Sequence, residues 1–357
     1  KILKKATGKV LVFFTSPYSI PKYEELTAEA EAIIVAYENN PVMQECAAEV
    51  LFGGTSADGK LPVSTGKYPQ GSGIFIPECR LGHAFPEEVD MDSRILSRID
   101  SIVQEGIDSM AFPGCQIIIT RHKKIIYDRA FGYFDYEKKH PVSTNDLYDL
   151  ASITKAMGTL PAIMWLNDHE QVSLNAPLCF YLPEMRDYGL SAITLRQTLM
   201  HESGLPAGIS LRRLLIDPDS YSAPLLKRGR DSEYPIQVDK DWFVQKDCRL
   251  KPWLFHNKTS RSYPLHIAEE LYASPSLPDS IWHKILSVSK SDRRYRYSDL
   301  NFVILQKLTE RVSGEPLDRF IDRRLLQPIG AYHTTFRPRE KFPISDIAPT
   351  ENDRLFR

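Results

Sequence analysis

Hydrophobic positions in the first part of the chain alternate between short apolar runs and helix-like spacing. The runs at 9–14 and 32–36 are typical of strands buried on both faces. The spacing at 24–30 and 42–52 predicts two helices. This β-α-β-α order is that of a parallel sheet covered by helices, that is, an α/β fragment. Because only two strands are visible, we expect residues 1–85 to be the end of a larger domain.

A change of pattern after residue 69 predicts a domain boundary. Residues 69–88 are rich in Gly and Pro without a sustained period, which is typical of a linker, so we divide the chain into domains 1–85 and 86–357. The second domain opens with a helix over 92–110, whose apolar residues form one stripe, and an antiparallel hairpin over 115–131. The remainder is predicted to be mainly helical, and residues 206–290 show no clear periodicity.

Composition excludes several classes of function. The 45 basic and 46 acidic residues give a net charge of −1, so the chain has no field that would attract nucleic acid or anionic lipid. No run approaches the length of a membrane span. The five cysteines are scattered without metal-ligand spacing, which argues against a zinc site and a disulfide framework. A neutral small-molecule substrate and no metal are therefore expected.

One candidate for chemistry is Ser152-Ile153-Thr154-Lys155, which precedes an apolar helical stretch, 156–166. Side chains three apart at the start of a helix share one face, so Ser152 and Lys155 can meet. A serine hydroxyl needs a base to become a nucleophile, and a lysine amine can act as that proton acceptor when its pKa is lowered. On its own the S-x-x-K pattern is more often a helix cap beside a surface lysine.

Two further blocks supply context. Tyr297-Ser298-Asp299-Leu300-Asn301 lies 145 residues after Ser152 and precedes a helical run. A tyrosine hydroxyl beside a Ser-Lys pair can pass a proton to the leaving group. The block at 193–206 ends a helix at His201, to which we assign a structural role because a histidine that closes a helix is usually a cap or a core contact.

The three blocks together resemble the class C β-lactamase, DD-peptidase and esterase family over about residues 90–357. The resemblance implies an α+β fold, with a helical subdomain beside an antiparallel sheet, and an acyl-enzyme formed without metal or organic cofactor. By position, it implies Ser152, Lys155 and Tyr297 as catalytic residues and Asp299 and Asn301 as substrate-binding residues. The Ser152 backbone N–H would then supply half of the oxyanion hole.

Two departures from the family pattern bear on activity. Asp299 stands where the best-known β-lactamases have asparagine, which argues against contact with a β-lactam amide. The family's last motif, Lys-Thr-Gly or His-x-Gly, does not occur in these 357 residues. We therefore expect the chain alone to be inactive or severely impaired, and its second domain to be incomplete at the C-terminal end.

The first region has a resemblance of its own. The segments 32–39, 47–54 and 59–64 are similar to the end of the C-terminal domain of family 3 glycoside hydrolases, which include β-N-acetylglucosaminidases. The sugar-cleaving carboxylates of that family belong to a preceding barrel, so no glycosidase site residue is assigned to this chain.

The sequence thus predicts a serine hydrolase for an amide or ester, fused to a β-N-acetylglucosaminidase and acting on a muropeptide or glycan. A carboxylesterase is one alternative, and a noncatalytic binding module that lacks the third motif is another. The resemblances imply a bacterial protein, periplasmic or secreted, whose signal lies upstream. They leave the oligomeric state open.

Overall fold

The computed structural model describes residues 8–268, 270–292 and 294–350, without the side chain of Asp239. The chain folds as two compact units, Lys1–Asp146 and Leu147–Arg357. The first residues of the predicted domain 1–85 and the last residues of the predicted domain 86–357 lie outside the described ranges.

The first unit begins with a parallel strand pair. Strands β1 (Val10–Phe13) and β2 (Ala32–Val35) pair in parallel and are joined through α1 (Glu24–Ala28). Helix α2 (Pro41–Phe52) follows, begun by the Asn40 side chain, which accepts a hydrogen bond from the Met43 N–H at 2.9 Å. The predicted β-α-β-α order of this region is confirmed.

The rest of the first unit forms a three-stranded sheet with helices beside it. The elements are β3 (Gly82–His83), α3 (Ser93–Leu96), α4 (Arg98–Asp108), β4 (Gly114–Arg121) and β5 (Lys124–Gly132). The strand order is β3-β5-β4, with β4 and β5 antiparallel, so the predicted hairpin is confirmed.

The helix predicted over 92–110 is divided in two at Ser97, whose hydroxyl donates to the Arg94 carbonyl at 2.8 Å. A serine hydroxyl that donates to a backbone carbonyl three residues earlier competes with helical hydrogen bonding. The predicted apolar stripe is only partly buried. Leu96 and Val103 lie in the core, whereas Ile102 is 65% exposed.

Hydrogen bonds within the first unit cross the predicted boundary at 85/86. Strand β3 pairs in parallel with the start of β5, and the Lys124 ammonium donates to the Gly54 carbonyl at 2.7 Å. The boundary between family domains stays a prediction, since a compact unit reflects packing rather than ancestry.

The second unit is built around two packed helices. A π-helical turn over Lys155–Thr159 leads into α5 (Leu160–Asp168), which packs on α9 (Asp299–Ser313). Ile163 and Leu166 of α5 and Ile304 and Leu308 of α9 are fully buried in the same apolar cluster. The remaining helices are α6 (Leu195–Leu199), α7 (Arg212–Leu215), α8 (Ser276–Leu286) and α10 (Leu317–Ile321), the last continued by a π-helical turn over Asp322–Leu326.

Residues 206–290, for which the sequence shows no clear periodicity, contain more than the helices α7 and α8. They contain two three-stranded antiparallel sheets, ordered β6-β8-β7 and β10-β11-β9. The strands are β6 (Leu226–Arg228), β7 (Ile236–Asp239), β8 (Trp242–Val244), β9 (Phe255–His256), β10 (Leu265–Ala268) and β11 (Leu271–Ala273). Strands of two to four residues are too short to show an alternating pattern, which is why the sequence did not reveal them. Short 3-10 turns complete the chain at 17–23, 86–89, 178–180, 183–188, 218–220, 338–340 and 344–346.

Candidate active site

Ser152 lies on a tight turn that leads into the π-helical segment. The Asp149 carboxylate accepts a hydrogen bond from the Ala151 N–H at 2.8 Å, and Ala151 adopts a φ of +43°. A left-handed alanine is costly, and such strain is concentrated at functional sites. The Lys155 N–H then donates to the Ser152 carbonyl at 3.0 Å, so the two side chains emerge on one face as predicted.

The structure brings Ser152, Lys155 and Tyr297 together. Ser152 Oγ lies 2.8 Å from the Tyr297 hydroxyl and 3.1 Å from Lys155 Nζ. Both distances are within hydrogen-bond reach, and the Lys155 ammonium is also 5.2 Å from the Tyr297 ring centroid. Tyr297 is 43% exposed, so the group is open to solvent and to a ligand.

Asp299 is the fourth member of this group. Its carboxylate forms an ion pair with Lys155 at 2.7 Å, and its side chain is 60% exposed. Burial lowers the pKa of Lys155, but hydrogen bonds to Asp299 and Tyr297 outweigh burial, so the pKa of Lys155 is raised. The pair therefore favours the ammonium form, which cannot accept a proton until that ammonium loses its own.

The Tyr297 loop is fixed by hydrogen bonds to the turn that follows α6. The Ser298 hydroxyl donates to the Pro206 carbonyl at 2.6 Å, and the Asp299 N–H donates to the Ala207 carbonyl at 2.9 Å. Gly204 allows this turn to form, since its φ is +79° and a Cβ there would lie 2.4 Å from the Ser291 carbonyl oxygen. The block at 193–206 thus supports the loop that carries Tyr297.

His201, predicted to be a helix cap or core contact, also contacts the loop that carries Tyr297. Its Nδ1 accepts the Ser298 N–H at 3.0 Å, and its ring stacks on Tyr297 with 4.7 Å between centroids. Burial and the charge of Lys155 lower the pKa of His201, and Asp299 opposes them more weakly. The ring is therefore neutral over a wider pH range than an ordinary histidine.

Asn301 lies behind the site rather than in it. It is fully buried, its Oδ1 accepts the Ser203 hydroxyl at 2.7 Å, and its Nδ2 lies 3.2 Å from His201 Nδ1. The predicted substrate-binding roles of Asp299 and Asn301 stay predictions; of the two side chains, that of Asp299 contacts Lys155.

Sequence reasoning did not identify Ser203 and Ser298 as parts of the site. Both are buried polar residues, with at most 1% of their surface exposed, and both bond across the two motifs. Small hydroxyl residues next to a candidate catalytic residue were the only available signal. That signal does not reveal a partner about a hundred positions away.

A pocket of about 430 Å³ opens beside the site. Its lining includes Lys155, Asp299, Phe302, Phe336 and Arg337. The described residues contain no cluster of His, Cys, Asp and Glu able to hold a metal ion. Nor does any described helix combine the length and the apolar character that crossing a membrane requires.

Comparison with known proteins adds a family match. The Beta-lactamase family profile matches residues 99–352. A Salmonella agona (strain SL483) protein named "Putative D-alanyl-D-alanine carboxypeptidase" is 26% identical over 282 residues, covering 75% of this chain and 54% of its own length. A Salmonella typhimurium (strain LT2) protein of the same name gives the same identity and coverage. The chain therefore spans about half the length of the curated relatives it matches.

Solved structures of similar fold include an octameric penicillin-binding protein homologue from Pyrococcus abyssi. It has a TM-score of 0.47 and 21% identity, and covers 71% of this chain and 47% of its own. The hydrolase EstCE1, described as having promiscuous acyltransferase activity, has the same TM-score and 22% identity, with 71% and 55% coverage.

Proposed function

The chain belongs to the beta-lactamase family, and from this we propose that it is a serine hydrolase that forms an acyl-enzyme on Ser152. The observation that carries the proposal is the meeting of Ser152 Oγ with the Tyr297 hydroxyl at 2.8 Å and Lys155 Nζ at 3.1 Å. A nucleophile with two acid/base groups in contact is the arrangement that acyl transfer needs.

In the proposed reaction, Lys155 first loses a proton to solvent. Ser152 Oγ then attacks the carbonyl carbon of an amide or ester while its proton passes to the neutral Lys155 amine. The Tyr297 hydroxyl then gives a proton to the leaving group as the carbon–nitrogen or carbon–oxygen bond breaks, and Lys155 passes the proton that it took from Ser152 on to Tyr297. Water cleaves the resulting ester and restores Ser152. Because Asp299 favours the ammonium form of Lys155, this lysine also stabilises negative charge on the two hydroxyl oxygens.

Covalent labelling tests this proposal most directly. We expect a fluorophosphonate or a fluorescent penicillin to label the protein slowly, because the family's last motif does not occur in these 357 residues, and Ser152→Ala to abolish that labelling completely. Ser173→Ala, which removes an exposed hydroxyl of the same unit, is the control and should label like the parent protein. Labelling that persists in Ser152→Ala would place the nucleophile elsewhere.

A carboxylesterase is a second candidate, favoured by Asp299. A carboxylate paired with Lys155 only accepts hydrogen bonds, whereas an asparagine amide would also donate them to an amide carbonyl of a β-lactam. Turnover of a chromogenic ester, a chromogenic cephalosporin and a D-alanyl-D-alanine peptide distinguishes the candidates. Ester turnover far above the other two would favour the esterase.

The natural substrate is proposed to be a muropeptide or related glycoconjugate. The name of the Salmonella relatives, which refers to D-alanyl-D-alanine, supports this substrate class. A periplasmic or secreted location is proposed with it. Release of D-alanine from a purified muropeptide, absent with Ser152→Ala, is the measurement that checks it.

For residues 1–85 we propose descent from the C-terminal domain of a family 3 glycoside hydrolase. The parallel pairing of β1 with β2 and the helix that follows support an α/β origin. The test is β-N-acetylglucosaminidase activity, measured with a chromogenic glycoside, in any longer protein that contains these residues.

A further inference from the structure

His201 lies behind Tyr297 and holds the backbone of the loop that carries it. The Ser298 N–H, which can only donate, points at His201 Nδ1 at 3.0 Å. Nδ1 must therefore carry a lone pair, and the ring proton of the neutral imidazole must be on Nε2. The Asn301 amide, 3.2 Å away, is then a second donor to the same nitrogen.

The same ring also supports the reactive side chain. It stacks on Tyr297 with an interplanar angle of 29°, and Phe302 packs on it with 5.4 Å between centroids. The His201 carbonyl accepts the Arg296 N–H at 2.8 Å. His201 is thus bonded to the backbone on both sides of Tyr297 and contacts its ring, although it does not touch Ser152 in any of these interactions.

From these contacts we propose that His201 is a positioning residue that sets the distance between the Tyr297 hydroxyl and Ser152 Oγ through the acceptor lone pair on Nδ1. The proposal rests on the proposed function, because it assigns His201 to the same site. Misplacing a catalytic group by about 1 Å can cost on the order of 100-fold in rate, so loss of this support should lower kcat.

Three substitutions distinguish the contribution of the Nδ1 acceptor from that of the aromatic ring. His201→Asn places an amide oxygen close to the position of Nδ1, and asparagine tolerates the φ of +57° found here. His201→Phe keeps an aromatic ring but has no acceptor. His201→Gln has the same amide one methylene further out and tests whether the position of the acceptor matters.

The expected result is a fall in kcat of about 10- to 100-fold for His201→Phe and His201→Gln, with little change in KM. His201→Asn should keep at least about half of the parent kcat, well above the range expected for the other two variants. A purely structural histidine would instead lower the free energy of unfolding in all three variants while leaving the kcat of the folded fraction alike. That outcome would overturn the proposal.

A readout that does not depend on activity keeps the two proposals apart. Amide hydrogen exchange at Ser298 should speed up in the Phe and Gln variants and remain slow in the Asn variant. If Ser152 is not labelled in the parent protein, the proposed hydrolase function fails, yet this exchange pattern still tests the support of the Tyr297 loop. Equal exchange at Ser298 in the parent protein and in all three variants would refute the role of His201.

Discussion

At the scale of single residues, the Lys155–Asp299 ion pair ties the proton affinity of the proposed base to one carboxylate. Asp299 raises the pKa of Lys155, so Asp299→Asn should lower it and increase the neutral fraction at any given pH. If Lys155 accepts the Ser152 proton, the acid limb of the pH–rate profile should move to lower pH. The measurement is the rate of Ser152 labelling by a fluorophosphonate as a function of pH.

The matched control for this change is Asp187→Asn. Asp187 is an exposed carboxylate of the same unit, and its removal changes net charge by the same amount. An acid limb that stays in place in Asp299→Asn, as in the control, would mean that Lys155 is not the base.

Protonation of His201 should lower the stability of the fold, because the hydrogen bond from the Ser298 N–H needs an unprotonated Nδ1. The pKa of this imidazole is lowered in the fold, so the neutral form contributes stability above the ordinary histidine pKa of about 6.5. That contribution is lost as pH falls through the lowered value, when Nδ1 gains a proton and can no longer accept the Ser298 N–H. The charged groups that act on the ring are Lys155 and Asp299, and Tyr295 and Tyr297 are the titratable rings beside it.

Sequence spacing could predict the meeting of Ser152 and Lys155 because both lie on one helical turn. Tyr297 required the resemblance to a family, since nothing local relates it to Ser152. The contacts of His201 with Ser298, 97 residues away, could not be predicted, because the turn at Gly204 decides which backbone groups face each other.

At the scale of elements, the turn after α6 depends on Gly204. Gly204→Ala places a Cβ 2.4 Å from the Ser291 carbonyl oxygen and also forces alanine into a left-handed conformation. Strain of this kind costs about 1–3 kcal/mol. We expect the free energy of unfolding, measured in urea, to fall by that amount and Ser152 labelling to slow as the Tyr297 loop shifts.

Two other glycines of the second unit separate the two causes of lost stability, which are the left-handed conformation and the close approach to Ser291. Gly189 has a φ of +68° with open space around it, so Gly189→Ala tests left-handed strain alone. Gly208 has open space and no left-handed φ, so Gly208→Ala should change stability by less than about 0.5 kcal/mol. If all three substitutions cost the same, close approach to Ser291 is not what holds the turn.

Long helices and strands were predictable from the spacing of their apolar residues, whereas strands of two to four residues were not. The hairpin β4–β5 and helix α9 each carry enough residues for their apolar spacing to be read. The sheets between β6 and β11 consist of strands of two to four residues, whose pairing is set by turns and by an apolar cluster that includes Leu254 and Phe255. Such local pairing leaves no period in the sequence.

At the scale of the whole molecule, the extent of the hydrolase domain differs from the extent of the compact units. The family match begins at residue 99, whereas the second compact unit begins at Leu147. The hairpin β4–β5 therefore belongs to the family domain by sequence. It is also bonded to residues that precede the predicted boundary at 85/86.

The hydrogen bonds between the hairpin and residues before 86 predict how a chain that starts at residue 86 will behave. It keeps the hairpin, Ser152, Lys155 and Tyr297, but it loses β3 and the two acceptors of Lys124, Gly54 and Thr55. The lost hydrogen bonds include two from the Lys124 ammonium and two from the backbone N–H groups of Gly82 and Ala84. Each of these four contributes about 0.5–1.5 kcal/mol, so the free energy of unfolding should fall by about 2–6 kcal/mol. Ser152 labelling should continue, because none of the residues that contact Ser152 has been removed.

A chain that starts at Cys79 is the control for this comparison. It restores β3 and its pairing with β5 but still lacks Gly54 and Thr55. Its free energy of unfolding should therefore lie between those of the whole chain and of the chain that starts at residue 86. The measurements are urea unfolding and the rate of fluorophosphonate labelling for all three lengths. If the chain from residue 86 fails to fold while the chain from Cys79 is as stable as the whole, β3 is part of the hydrolase domain. The boundary would then have to move toward the N-terminus, before Gly82.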